Sequence, residues 1–217
     1  MTRGLLICGV LAGPVFVTAL ILQMVTRHGF DPARHPISVL SLGEPGWIQI
    51  VNFVLTGVLS IAFAMGIRRL LAKGPGGTWG PILVACYGLG LIIAGAFLGD
   101  PGLGFPPGTP DAILEPSWHG LVHDVGPPVA FVALIAVCFV FARRFALLGA
   151  GGWAGYCRCT GVAALVCSVP GPAATVRVLI AVVLTSGWTT AIAVRLLVEA
   201  SGTSDLQSNP LRRRPFR

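Results

Sequence analysis

Charge is scarce in this sequence. Asp, Glu, Lys and Arg make up 11% of its 217 residues, against roughly a quarter in soluble domains. A water-soluble fold of this length could not hide the 54% that is hydrophobic, so lipid is the expected surrounding medium. Period-2 alternation is missing too, which excludes a membrane barrel and leaves helices to satisfy the backbone in a bilayer. No small-x-small cleavage site follows the first apolar run, so that run is expected to stay as a span. The six cysteines (Cys8, Cys86, Cys138, Cys157, Cys159 and Cys167) lie in or beside apolar runs. None supports a disulfide framework, and they read as small packing residues.

What the chain does have is six apolar runs, at about 4–26, 47–67, 80–99, 118–142, 153–169 and 175–194. About 20 such residues cross the hydrocarbon core. The expected fold is therefore an all-α bundle of six transmembrane helices. Twelve of the fifteen cations then share the side that holds both termini: Arg3, Arg68, Arg69, Lys73, Arg143, Arg144, Arg158, Arg195, Arg212, Arg213, Arg214 and Arg217. Only Arg27, Arg34 and Arg177 fall on the other. Cations gather in the cytoplasm, which predicts an N-in, C-in topology. The net charge of +7 thus points to membrane lipids as partners and not to nucleic acid. Residues 200–217 read as a disordered basic cytoplasmic tail.

Two inner hairpins resemble each other, "RRLLAKGPGGTWG" (68–80) and "RRFALLGAGGWAG" (143–155). A parallel duplication would produce this, and so would independent recruitment of Arg, Gly and Trp to short inner loops. The glycines of "GLGLIIAGAFLGD" (88–100) predict close helix approach. Pro14, Pro127 and Pro128 predict local irregularity inside spans.

The outer end collects the chemistry. All four histidines fall there, with Asp31, Glu44, Asp100, Asp111, Glu115 and Asp124. Most sit in two long loops, 27–46 and 99–117, which are expected to form a lid. The centre of the first, "PISVLSLG", could lie in the interface or dip back toward the bundle. Ser117 is a good N-cap for the fourth helix. His119 and His123, at i and i+4, then share one face in its first turns, with Asp124 expected deeper and facing the interior. Zinc would suit neutral imidazoles at a helix N-terminus, with Asp100 and either His35 or Asp31 as further ligands. Ser38 and Asp124 are the candidates for assisting catalysis, Ser38 through His35. The HExxH and GxSxG motifs are absent. The structural alternative makes His119, His123 and Asp124 a hydrogen-bonded plug, and proton handling is a third. Asp31, Arg34, Phe105 and Trp118 would line the same pocket.

"FDPARHPISVLSLGEPGWIQIVNFVLTGVL" (30–59), "GLGFPPGT" (102–109) and "SWHGLVHDVG" (117–126) carry a resemblance over nearly the whole chain to about residue 198. The chain is similar to the domain-of-unknown-function 998 family, six-span bacterial membrane proteins common in actinobacteria. The marks are the HPIS element, Asp100 with Phe105–Pro106 downstream, and a histidine opening the fourth span; Asp124 matches no family feature. The resemblance implies fold and membrane location, and no activity. A looser likeness to seven-span hydrolases, which include alkaline ceramidases, would imply a zinc site, but a histidine pair in the last span is lacking. The resulting expectation is a plasma-membrane protein with a His/Asp-lined outer pocket that binds a lipid, small ligand or partner. A zinc-dependent hydrolase comes second and a small-molecule transporter third; oligomeric state has no signature.

Overall fold

The computed structural model describes residues 1–72, 74–112 and 115–208. Its helices are α1 (Thr2–Thr26), α2 (Trp47–Leu71), α3 (Trp79–Ala96), α4 (Trp118–Leu147), α5 (Gly151–Cys167) and α6 (Ala174–Ser208). Two short 3-10 turns, Ile37–Ser41 and Glu44–Gly46, fill the connection between α1 and α2. The fold is all-α. Five of the six helices are long and apolar enough to cross a membrane. The exception is α5: its 17 residues reach about 26 Å at 1.5 Å per residue, short of a core of about 30 Å. Arg158 near its start shortens the apolar part further. α6 continues to Ser208, into the stretch expected to be disordered. Lys73 and the tail cations Arg212, Arg213, Arg214 and Arg217 lie outside the described residues.

The helices form a ring in which each packs on the next in sequence and α6 closes on α1. At two crossings a glycine of one helix meets a glycine of the next. A Cβ on Gly88 would lie 2.6 Å from the Gly57 carbonyl oxygen, and one on Gly57 would lie 2.6 Å from that of Gly88. The same reciprocity joins Gly90 of α3 to Gly126 of α4, at 2.6 and 2.7 Å. Small residues allow this approach between apolar helices. Outward, the bundle presents Leu22, Val25, Leu121, Val125 and Val132, all exposed. Trp47, Trp79 and Trp118 open α2, α3 and α4 and are also exposed, as expected of side chains anchored at a membrane interface.

Hydrogen bonds define two chemically different ends. At one, Arg3 Nη2 donates to Ser201 Oγ at 2.9 Å. There too, buried Arg144 donates to the Pro75 carbonyl at 3.0 Å and pairs with Glu199 at 2.8 Å. This end packs around Phe63, Phe141, Phe145, Trp188 and Leu196. Cys157 is more than filler, since its Sγ accepts from Trp188 Nε1 at 3.3 Å. The hairpins turn differently. Left-handed backbone falls at Gly76 in one and Gly149 in the other, which do not correspond when the two stretches are aligned on their paired arginines. A seven-residue connection (72–78) in one hairpin corresponds to three residues (148–150) in the other.

Candidate functional site

The opposite end holds the two long loops, which interlock around one aromatic ring. Phe105 is buried, with Phe30 edge-on at 5.8 Å and His35 at 5.4 Å between centroids. The Arg27 guanidinium lies 5.3 Å above the same ring, a cation–π arrangement. Arg27 Nη1 donates to the Leu40 carbonyl at 2.9 Å, and Nη2 donates to that of Leu42. His35 is buried and its ring is fully committed. Its Nδ1 accepts from the Asp31 N–H at 2.9 Å, so Nε2 carries the proton and donates to the Leu103 carbonyl at 3.0 Å. That leaves no base for Ser38 and no lone pair for a metal. Arg34 and Asp31 are exposed, Arg34 pairing with Asp111 at 2.7 Å.

The second cluster clamps α4 to the end of α3. Ser117 is the N-cap: its Oγ accepts from the Gly120 N–H at 3.0 Å. Asp100 accepts from the Ser117 hydroxyl at 2.6 Å and from its N–H at 2.9 Å. His119 Nδ1 lies 3.0 Å from the Leu98 carbonyl, and buried His123 Nδ1 lies 2.8 and 3.1 Å from those of Phe97 and Ala94. A carbonyl can only accept, so both rings carry their proton on Nδ1. The histidines thus satisfy carbonyls that the end of α3 leaves without helical partners. Asp124, one residue and about 100° further round the helix, faces outward and is exposed. Trp118 is exposed as well, its ring edge-on to Phe97 at 6.0 Å. His119, His123 and Asp100 therefore share one clamp, while His35 belongs to the other loop. Among the described residues no three His, Cys, Asp or Glu side chains are grouped to hold a metal ion.

The two donations from Ser117 hold the Asp100 carboxyl below the usual carboxylate range. Since the folded value is the lower one, the stabilisation is present above the unfolded value of about 4 and is lost as pH falls through the folded value. Thermal unfolding in detergent is expected to be flat near neutrality and to fall in acid, with part of that acid loss missing in Asp100→Asn. An unchanged acid profile in the variant would remove Asp100 from the clamp.

Between the helices lies a cavity of about 570 Å³. Phe16, Phe53, Leu91, Phe131, Leu165 and Val178 represent the six helices in its wall, and Pro36, Ile37 and Ser38 of the first loop close over it. Its polar groups are hydroxyls: Ser38, Tyr87, Ser168, Thr175, Thr185 and Ser186. Of these, Thr175 donates to the Ala33 carbonyl at 2.8 Å, which ties α6 to the loop. No histidine, Asp100 or other charged residue lines it. Pro127 and Pro128 do, and lacking N–H groups they leave the carbonyls of His123 and Asp124 without their usual helical donors. The first loop does dip back toward the bundle: Leu40, Ser41 and Leu42 are buried.

A family model described as "Protein of unknown function (DUF998)" matches residues 10–195. The chain belongs to this family. No curated protein and no solved structure matches it.

The DUF998 chain also contains a polar seam that the reading of its sequence missed. Gln23 of α1 donates to Gln49 Oε1 of α2 at 2.7 Å, and Asn52 donates to the same oxygen at 3.3 Å and to the Phe16 carbonyl at 3.2 Å. All three amides are buried, as are Thr56 and Ser60 along the same face of α2. Amides between apolar helices hold them together because lipid offers no alternative partner. The available signal was uncharged polar residues at i, i+3 and i+7 inside an apolar run.

Proposed function

We propose that this is a six-span plasma-membrane protein, with both termini cytoplasmic, that holds an apolar chain such as a lipid tail between its helices beneath the two outer loops. The cavity carries the reading. Its volume lies within the range of small-molecule sites, and its wall of apolar groups and hydroxyls fits a hydrocarbon far better than a charged substrate. The six-span arrangement draws support from the short connections at both ends of α5, which reverse the chain between neighbours. N-in topology draws support from the concentration of arginines at the end that holds Arg3 and Arg144. In this reading the His/Asp residues are structural: they fasten the cover and do no chemistry. Coupled ion transport finds little support, since Arg144 is the only Arg, Lys, Asp or Glu buried among the described residues and it is paired.

Native mass spectrometry of protein released from mild detergent tests the reading. The unmodified chain is expected to retain an apolar molecule that Val178→Trp and Leu165→Trp, which fill the cavity, displace with a loss of about tenfold in occupancy or more, or about 1.4 kcal/mol. Equal retention in the filled variants, or none in the parent, overturns it. Stoichiometric zinc lost in His119→Ala and His123→Ala would put a metal-dependent hydrolase in its place.

A further inference from the structure

A second groove lies at the opposite end of the bundle, on the outside of the seam between α4 and α5. Its volume is about 460 Å³, and its walls are Phe139, Ala142, Arg143, Ala146 and Leu147 of α4 with Arg158 and Val162 of α5. The α4 residues fall at i, i+3, i+4, i+7 and i+8, a single helical face. Arg158 and Val162, at i and i+4, supply the facing wall. α4 runs toward this end and α5 away from it, so Phe139 lies one turn deeper than Arg143 and Val162 one turn deeper than Arg158. Each wall thus carries a cation above an apolar side chain. The approach that forms the groove uses Gly161, whose added Cβ would lie 3.0 Å from the Phe139 ring.

None of the ion pairs among the described side chains involves either arginine. In the pair Arg143–Arg144, only Arg144 turns inward, to Pro75 and Glu199. Arg143 and Arg158 are exposed. Glu199 of α6, at this end, is paired with Arg144 at 2.8 Å and Arg195 at 3.6 Å. Six other described acids, Asp31, Glu44, Asp100, Asp111, Glu115 and Asp124, lie at the far end. Two guanidiniums flanking one groove can meet a single phosphodiester with several parallel N–H donors. Below them, Phe139 and Val162 lead to exposed Val166, an apolar track for an acyl chain.

We infer that the Arg143–Arg158 groove binds an anionic glycerophospholipid, the phosphodiester between the two arginines and one acyl chain along Phe139 and Val162. A basic pocket between spans, at the depth where headgroups lie, is where such lipids are held. A zwitterionic headgroup would carry its own cation into a site that already has two. The inference requires the bundle to sit in a bilayer, but not the apolar occupant of the central cavity.

Thermal unfolding of the full chain in neutral detergent reads the binding. Dioleoyl phosphatidylglycerol is expected to raise Tm, and dioleoyl phosphatidylcholine, with the same chains, to raise it far less. The double variant Arg143→Gln/Arg158→Gln is expected to lose the difference between the two lipids while keeping the parent Tm in detergent alone, because both side chains are exposed. Arg69→Gln, an exposed cation at the same end, is expected to retain the difference. Three results overturn the assignment: equal shifts from the two lipids, an equal loss in Arg69→Gln (which would make the effect a general surface field), or an equal shift from inorganic phosphate. Failure of Val178→Trp to displace a molecule from the central cavity bears on the earlier proposal alone.

Discussion

Replacing Phe105 by alanine is expected to cost about 3–5 kcal/mol, the range for removing a buried aromatic ring from a packed site. The ring is held by Phe30, His35 and the Arg27 guanidinium at 5.3–5.8 Å. Its loss leaves a hole between loops that otherwise touch through few apolar groups. The loops carry their own backbone bonds, so the site cannot collapse cheaply. Thermal unfolding in detergent should show the loss, and limited proteolysis should show cutting within 27–46 and 99–117 that the parent resists. Phe105→Leu is expected to recover most of both. A Phe105→Ala protein with the parent Tm and intact loops would show that the ring holds nothing.

Gly90→Ala should destabilise the protein by about 1–3 kcal/mol, in spite of alanine's better helix propensity. Propensity alone would favour the variant by roughly 1 kcal/mol. The new Cβ, however, would sit 2.6 Å from the Gly126 carbonyl oxygen and 2.8 Å from Ala130 Cβ. Backbone atoms cannot step aside as a flexible side chain can, so α3 and α4 must separate and the steric term wins. Gly187→Ala is the companion measurement. It is also a helical glycine, but nothing lies within 4 Å of its added Cβ, so propensity acts unopposed and a gain of up to about 1 kcal/mol is expected. Both changes are read as Tm shifts in the same detergent, and shifts of the same sign would refute the account of the crossing.

The helices were legible because their signals are local. The run starting at 47 opens at Trp47 in α2, the Ser117 cap places the start of α4, and the glycines of 88–100 mark real crossings. Helix ends were less legible: α4 runs to Leu147, beyond the apolar stretch, because Arg144 is buried by a partner distant in sequence. The placement of the site residues was legible in part for a related reason. A four-residue spacing puts His119 and His123 on one face whatever surrounds them. Where the first loop crosses the second is tertiary information, so nothing local could tell that His35 would meet Leu103 and not His119. Asp124 shows how much one position matters on a helix. The central cavity has no sequence signature, since its wall draws a few side chains from every helix. The amide seam did have one, and a search for charge passed over it.

The closure of α6 on α1 joins helices that four others separate along the chain, whereas every other helix pair in the ring is adjacent along the chain. Without α6, the other five helices form only an open trough, with Phe16, Phe53 and Leu91 on its inner wall. α6 is therefore the helix that completes the ring around the cavity to which all six contribute.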